Sequence, residues 1–465
     1  MATTAQTQLP VGLAIRLLLD SVSYSSALPP WFETLTIDYA ARERRIREEI
    51  DRYEKGTNPS RAFEVSVPKR TGDKSTWIVP SINDQIICQA CISNFAYQLE
   101  QATLDRARVF GGLLNTDPTR LAFLEDQVQA WSRFHALTQE RCSTSECVLR
   151  LDIKEAFRNM AAQNVFEFAR RKCGDLPAIR LLEKMLAGLC SPGNGFPFIN
   201  DGVFFVGNTY LSEVDRVVGS ANPNFFRFVD DYRLFGPSTS VLETQLAALR
   251  PRLREIGFEI NEAKLKLGTG TEYLEAVSRL QEGATEKTQY FDAAVQPGVF
   301  RAEDMHDQVV RSLLAPDEYL HQGFARLLMA AIRRMRVRAL FSDKQGYSDP
   351  PADQFATILS EDVKAIDRIC ELLEEYARDP SNAWRLIWIL YVCKSVTISS
   401  IPDPASRARL EAVLKRIGQS DSLPMVVRLW SATIPDFPSP QRLSTRVEEL
   451  HNLDYVAEGV ACYGG

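Results

Sequence analysis

The sequence predicts an α+β region followed by an all-α region. Between residues 61 and 295, short alternating apolar runs typical of strands are mixed with longer amphipathic stretches typical of helices. From residue 296 onward strand patterns nearly vanish, and amphipathic helical stretches follow one another with short Pro, Asp and Ser breaks between them. We therefore predict a helical segment over 1–60, a mixed domain over 61–295 and an α-helical domain over 296–465.

The composition is that of an ordinary globular protein. The chain has 465 residues, of which 45% are hydrophobic and 25% charged, and its formal net charge is −6. A uniformly basic protein that coats nucleic acid is therefore excluded. The sequence shows neither a signal-peptide pattern nor an apolar run of membrane-spanning length, and its nine cysteines form no disulfide-like framework. These features predict a cytoplasmic protein without a membrane partner.

Each predicted element has either the alternation of a strand or the 3.6-residue period of a helix. In the first two segments, the predicted elements are a helix around 39–50, a strand at 62–68, helices at 84–99 and 116–140, a strand at 148–153, helices within 161–190 and at Glu213, and two apolar runs within 226–235. In the last segment, the predicted helices are 303–315, 318–341, 360–378, 383–396, 404–417 and 422–431.

Three sequence elements contain the residues that could perform chemistry. In residues 151–157 (LDIKEAF), a predicted strand ends at Asp152, and an aromatic residue, Phe157, follows five residues later. Residues 228–231 (FVDD) place two carboxylates at the tip of a predicted hairpin, and residues 256–264 (IGFEINEAK) run from a glycine to a lysine. An Asp-Asp turn alone is usually only turn chemistry. All three elements in this order favour a catalytic site.

Carboxylates in this arrangement suit phosphoryl transfer. Two-metal enzymes use a pair of divalent cations to stabilise the attacking and leaving oxygens. Mg²⁺ prefers a few carboxylates together with phosphate oxygens and water. Two adjacent strands that present Asp152 and Asp230 side by side, with Asp231 next to them, would hold Mg²⁺, or Mn²⁺ in its place.

Residues 62–270 resemble the fingers and palm of reverse transcriptases, which are right-hand polymerases. VPKRTGDK at 67–74 and IVPSINDQII at 78–87 are similar to the family's opening fingers segment, "IPK…G…IPTIRDRIV". DIKEAF matches the family's motif A, FVDD its motif C, and GFEINEAK its motif D, "GLxLNxxK". These motifs occur in the family's order and cover a little under half of the chain.

The resemblance implies a role for each matching residue. Asp152, Asp230 and Asp231 would be the metal ligands of the catalytic centre. Phe157 would be the steric gate, whose ring lies under the sugar and leaves no room for a 2′-hydroxyl, so the enzyme would use deoxynucleotides. Lys264 would protonate or neutralise the leaving pyrophosphate.

Two parts of the sequence depart from the family pattern. Lys69 and Lys74 would bind the incoming triphosphate, but Ser75 occupies the position of the family's fingers arginine. In motif B, "GxPQGxxxSPxLxN", Phe198 replaces the Gln and Ile199 the Gly. Because these bulky groups would crowd the position of a template base beside the substrate, the departure predicts weak or absent template reading.

The motif B departure and the helical C-terminal part make the chain similar to the defence-associated, abortive-infection (Abi-type, AbiA- and AbiK-like) reverse transcriptases of bacteria. That resemblance implies antiphage defence, protein-primed and template-independent DNA synthesis, a HEAT-like helical repeat and a homo-oligomer. The implied partners are dNTPs and a single-stranded DNA product attached to the protein. A priming hydroxyl would come from a tyrosine, and the N-terminal candidates are Tyr24, Tyr39 and Tyr53.

Two alternatives stay open on the sequence alone. The first is an RNA-templated reverse transcriptase of retron-like or intron-like type. The second is an inactive polymerase fold that serves as a nucleic-acid-binding scaffold. DNA synthesis without added nucleic acid would separate the leading prediction from both.

Overall fold

The chain divides into two compact units of helices and strands. The computed structural model describes residues 9–20, 39–56, 62–68, 74–80, 82–117, 122–144, 147–189, 195–197, 199–277, 302–314, 351–379, 382–423, 427, 428, 431 and 434. The first unit contains α1, most of α2, and the elements from α3 to β7; the second contains β1, β2 and α10 to α14, as bounded below.

The described elements are short strands and mostly longer helices. In chain order the elements are α1 (Val11–Asp20), α2 (Tyr39–Glu54), β1 (Ala62–Pro68), β2 (Lys74–Pro80), α3 (Ile82–Thr103), β3 (Val109–Phe110), α4 (Gln127–Ser143), β4 (Cys147–Asp152), α5 (Ala162–Cys173), α6 (Pro177–Leu189), α7 (Asp201–Tyr210), α8 (Ser212–Ala221), β5 (Phe225–Phe228), β6 (Asp231–Gly236), α9 (Thr239–Glu255), β7 (Lys266–Thr269), α10 (Ala302–Leu314), α11 (Pro351–Glu361), α12 (Val363–Tyr376), α13 (Ala383–Cys393) and α14 (Pro404–Gln419). Residues 270–277 are also helical.

The first unit is built around a mixed five-stranded sheet in the order β3-β5-β6-β4-β7. β3 and β5 are parallel, and the other neighbouring strands are antiparallel. On one face, α9 packs against β4 and β6, and a Cβ at Gly236 would lie 3.0 Å from the Leu242 side chain of that helix. On the other face, Val148 and Phe235 pack against Cys142 of α4 and against Tyr273. The sheet is therefore covered by helices on both faces.

The second unit joins a hairpin to a helical array. β1 and β2 pair in antiparallel register, and β1 also contacts α13. α12 packs against both α13 and α14, and Trp388 of α13 is fully buried. Asp362 and Asp403 cap the helices that follow them, since their carboxylates accept hydrogen bonds from the Ala365 and Ser406 amides at 3.0 and 2.8 Å.

The predicted α+β class is confirmed, and the described elements after residue 296 are helices, whereas the reverse-transcriptase fold, the all-α HEAT-like domain and the segment boundaries stay predictions. The helix predicted at 116–140 begins only at Gln127. Asn115 explains the difference, because its side-chain oxygen accepts from the Asp117 amide at 3.1 Å and favours a turn. The helices predicted over 161–190 and 360–378 are each split, at Gly174, which has φ +82°, and at Asp362. The helix predicted at 318–341 lies outside the described residues.

None of the helices within the described ranges is both long and apolar enough to cross a membrane.

Candidate active site

The sheet brings Asp152 and the Asp230-Asp231 pair to one place. Asp152 ends β4 and lies directly opposite Asp231, the first residue of β6. Residues directly opposite in an antiparallel pair have Cβ atoms about 4.5–5.5 Å apart and point to the same face. The Ile153 amide donates to the Asp230 carbonyl at 3.0 Å, which brings Asp230 beside the same strand end. Carboxylates far apart in the sequence thus form one cluster.

A buried arginine fixes the turn that carries Asp230. Arg227 of β5 is fully buried, and its Nη1 donates to the Val229 carbonyl at 2.8 Å and to Asn208 Oδ1 at 2.7 Å. Its Nε lies 2.8 Å from Asp215 Oδ1, which also accepts from the Tyr232 hydroxyl. Val229 has φ +55°, a conformation that is costly for a β-branched residue and needs such support.

Lys264 and Asn261 both contact Asp152. The ammonium of Lys264 donates to Asp152 Oδ1 at 2.8 Å, and the Asn261 amide group donates to Oδ2 at 3.1 Å. The backbone of Asn261 also donates to the Asp152 carbonyl at 2.8 Å. Lys264 itself is 62% exposed, whereas the Asp152 side chain is nearly buried. The segment between α9 and β7 therefore holds the Asp152 carboxylate in position and partly neutralises it.

The cluster carries uncompensated negative charge. Burial, together with the charges of Asp152 and Asp231, raises the pKa of Asp230 to about 7. Burial also raises the pKa of Asp231, although Arg233 opposes that shift. For Lys264, burial lowers the pKa, but the hydrogen bond to Asp152 and its charge outweigh burial, and the pKa is raised. A group that stabilises the ionised carboxylates is therefore favoured at this site.

The donor set matches the chemistry that Mg²⁺ requires, since Asp152, Asp230 and Asp231 provide hard carboxylate oxygens. The raised pKa of Asp230 agrees with this, because a divalent cation would offset both its causes, the burial of the carboxylate and the repulsion from Asp152 and Asp231. Within the described ranges, no three His, Cys, Asp or Glu side chains are grouped as a formed metal cage. In this state the Lys264 ammonium is the cation in contact with Asp152.

Phe157 packs against α7. Its ring stacks on Phe204 with centroids 5.5 Å apart, and a Cβ at Gly207 would collide with it. The Phe196 amide donates to the Phe157 carbonyl at 2.9 Å. Gly207 is therefore the residue that leaves room for the ring. Phe157 is therefore in direct contact with α7, the helix that contains the second half of the segment compared with motif B.

Below the carboxylates, the same face of the sheet carries arginines. Arg150 of β4 lies directly opposite Arg233 of β6, two residues along each strand from Asp152 and Asp231. Arg233 is buried, lies 3.7 Å from Asp231 Oδ1 and stacks over the Phe134 ring at 5.0 Å. Its burial lowers its pKa, which Asp231 opposes. Two arginine side chains therefore lie next to the carboxylate cluster on this face of the sheet.

The sequence predicts six further site residues, of which only Tyr53 has a described side chain. Tyr24, Lys69 and Phe198 lie outside the described residues; Tyr39 begins α2 and Lys74 begins β2, but their side chains are not described. Tyr53 is buried in α2, and its hydroxyl donates to the Asp84 carboxylate. The roles assigned to all these residues stay predictions.

Sequence reasoning missed three residues of the site: Arg227, Asp215 and Asn261. A charged residue within the apolar run FFRF of β5 signals a buried ion pair, and this signal could have indicated Arg227. Asn261 lies three residues before Lys264 in the Gly-to-Lys element, so its proximity follows from that motif. No local sequence pattern marks Asp215 as a site residue, because its contact with Arg227 depends on the tertiary structure.

The chain matches no protein-family model, and no curated protein is significantly similar to it in sequence.

Proposed function

We propose that this chain is a DNA polymerase of reverse-transcriptase type that adds deoxynucleotides to a strand end by two-metal nucleotidyl transfer. The observation that supports it most is the position of Asp152 directly opposite Asp231, beside Asp230 and in contact with Lys264. Four motif residues from three distant parts of the sequence meet at one end of the sheet. Such convergence is what phosphoryl transfer needs from a protein, because catalysis depends on positioning and charge stabilisation.

In this proposal Asp152, Asp230 and Asp231 would hold two Mg²⁺ ions, which would stabilise charge on the attacking and leaving oxygens. A hydroxyl of the strand end or primer attacks the α-phosphorus of a dNTP. The hydroxyl loses its proton to water as the new P–O bond forms, the bond from the α-phosphorus to the oxygen that bridges it to the β-phosphate breaks, and pyrophosphate leaves. Lys264, with its raised pKa, supplies a positive charge or a proton to that leaving group.

Deoxynucleotide preference is assigned to Phe157. Its ring is fixed between Phe204 and the backbone at Gly207, so it cannot turn easily to admit a 2′-hydroxyl. Arg227 and Asn261 position the carboxylates. Arg227 does so through its hydrogen bond to the Val229 carbonyl, next to Asp230, and Asn261 through its hydrogen bond to the Asp152 carboxylate.

The narrower parts of the proposal rest on the sequence resemblance. These are antiphage defence, priming on a protein hydroxyl, synthesis without a template and assembly into a homo-oligomer. The bulky residues in motif B, Phe198 and Ile199, support the absence of template reading. The rivals are an RNA-templated reverse transcriptase and a scaffold without activity.

The decisive experiment incubates the purified protein with Mg²⁺ and labelled dNTPs, with no added nucleic acid. Labelled polymer covalently attached to the protein is expected. Strict dependence on added RNA would favour the templated enzyme, and nucleic-acid binding without synthesis on any template would favour the scaffold.

The site assignment is tested with Asp230→Asn combined with Asp231→Asn, which should abolish synthesis by at least 100-fold if these carboxylates hold the cations (about 2.7 kcal/mol or more of barrier). Asp175→Asn, which removes one exposed carboxylate just before α6, is the control for loss of a carboxylate away from the cluster. Full synthesis by the double variant would refute the assignment.

A further inference from the structure

An aromatic surface lies beside the carboxylate cluster, on the same face of the sheet. Phe228 of β5 is directly opposite Asp231, which is directly opposite Asp152, so these three residues form one row. Trp131 of α4 packs edge-on against Phe228 with ring centroids 4.8 Å apart. The indole is thus separated from the Asp231 position by a single side chain.

Neighbouring rings hold the Trp131 side chain in place but leave part of it exposed to solvent. Its ring contacts Phe134 at 5.6 Å and His135 at 4.3 Å, both on the next turn of α4, yet it is 38% exposed. Phe228 is in turn supported by the backbone of Gly111, where a Cβ would lie 2.6 Å from the Phe228 ring. A held aromatic ring that remains partly open to solvent is a surface on which another flat ring can stack.

The charges around the row distinguish its two ends. Burial and the nearby Arg233 and Arg150 lower the pKa of His135 to about 4, so His135 adds no positive charge beside Trp131 at pH 7. At the other end, the exposed ammonium of Lys264 reaches Asp152. In the strand order β5-β6-β4-β7, the apolar rings and the lysine flank the carboxylates on opposite sides. Phosphates suit the lysine end and a nucleobase suits the ring end.

We propose that Trp131, supported by Phe228, is a stacking subsite for a nucleobase at the reacting end of a single-stranded DNA. This inference rests on the proposed function, since it assigns the strand end to one side of the carboxylate row. Base–aromatic stacking needs no particular base, because every base has a flat π face. The subsite would hold the strand without reading its sequence, as synthesis without a template requires.

The test measures binding of a labelled ten-nucleotide single-stranded DNA by fluorescence anisotropy, in EDTA, so that catalysis cannot contribute. Trp131→Ala should weaken binding about 5- to 150-fold, from the usual ~1–3 kcal/mol per stacked base, whereas Trp131→Phe should stay within roughly 3-fold of wild type. Tyr97→Ala removes a 73% exposed aromatic from α3 and is the matched control, expected to bind like wild type. Equal affinity of Trp131→Ala and wild type would overturn the subsite.

A second measurement separates base stacking from phosphate binding and does not depend on the alanine variant folding. Wild type should prefer the DNA over the same oligonucleotide with an abasic 3′ end, and the DNA should quench its tryptophan fluorescence. In Trp131→Phe the quenching should shrink, because the stacking indole is gone, while the preference for the intact base should largely remain, because phenylalanine can also stack. Unchanged quenching would refute the assignment of Trp131. If Trp131→Ala binds the DNA more weakly but the wild-type protein never incorporates dNTPs, the stacking subsite stands and the polymerase proposal is rejected. Normal incorporation with unchanged binding would reject the subsite alone.

Discussion

Arg227 shows how one residue can position a site that it does not enter. Its guanidinium is completely buried, which is costly unless every partner is in place. Asp215, Asn208 and the Val229 carbonyl lie within 2.7–2.8 Å of its Nε and Nη1, whereas its Nη2 has no hydrogen-bond partner among the described residues. Since Val229 immediately precedes Asp230, the arginine holds the turn that presents the carboxylate. Stability and the geometry of the site are therefore coupled at this residue.

We expect Arg227→Met to lower the free energy of unfolding by about 3–5 kcal/mol, because it leaves the Asp215 carboxylate buried without its cation. Adding Asp215→Asn should recover part of this loss, since it removes the unpaired charge. Urea unfolding of the two single variants and the double variant measures both effects.

Arg216→Met is the control, because Arg216 is 67% exposed and its ion pair with Glu213 is 3.4 Å long. Its effect should stay within about 0.5 kcal/mol. A loss below about 1 kcal/mol for Arg227→Met, similar to the control, would show that the buried network does not hold the turn.

Among the elements, α7 connects several parts of the first unit around the carboxylate cluster. Asn200 caps it, accepting from the Val203 amide at 2.9 Å and donating to the Gln85 carbonyl of α3 at 3.1 Å. Farther along the helix, Asn208 donates to the carbonyls of Gly111 and Gly112 at 3.3 and 3.1 Å. The helix therefore ties α3, the glycine turn after β3 and the Arg227 network together.

Gly207 of α7 should be intolerant of a side chain. Alanine normally stabilises a helix interior by about 0.5–1 kcal/mol relative to glycine. At Gly207 the added Cβ would collide with the Phe157 ring, so we expect Gly207→Ala to destabilise by about 1–3 kcal/mol. If Phe157 is the steric gate, displacing its ring should also reduce discrimination between dNTPs and rNTPs. Urea unfolding and competition between the two nucleotide types measure these effects.

The control is Gly219→Ala in α8, where the added Cβ would lie 3.4 Å from the Phe225 ring, an ordinary contact. This variant should be neutral or slightly more stable than wild type. If both glycine variants are equally stable and equally selective, the close packing of Phe157 on α7 has no consequence for the site.

The sequence predicted those strands and turns that local residue patterns determine. The alternation in 148–153 and 226–235 indicated β4, β5 and β6 within a few residues, and the Asp-Asp pair in FVDD indicated the turn between β5 and β6. Helix breaks were missed where one residue decides them, such as Gly174 and Asp362. The pairing of β3 with β5 and the partners of Arg227 depend on long-range contacts, which no local pattern contains.

At the scale of the whole molecule, the two units should respond differently to pH. Only the first contains the carboxylate cluster, in which the pKa of Asp230 is raised from 3.8 to about 7 by burial and by Asp152 and Asp231. Between these two values the folded state binds more protons than the unfolded state. The free energy of unfolding of this unit therefore falls as the pH rises from about 4 through 7.

We expect Asp230→Asn to stabilise the first unit in EDTA by about 1–3 kcal/mol at pH 8 and by much less at pH 5, because the variant removes a buried charge, repelled by Asp152 and Asp231, that exists only when Asp230 is ionised. Hydrogen exchange of peptides from β4–β6 measures that unit, and peptides from α12, in the second unit, are an internal control that should not change. Mg²⁺ at pH 8 should stabilise wild type more than the variant, since it binds the folded state. Equal stability of wild type and variant at both pH values would show that the three carboxylates do not repel one another, and the electrostatic basis for a cation site would be lost.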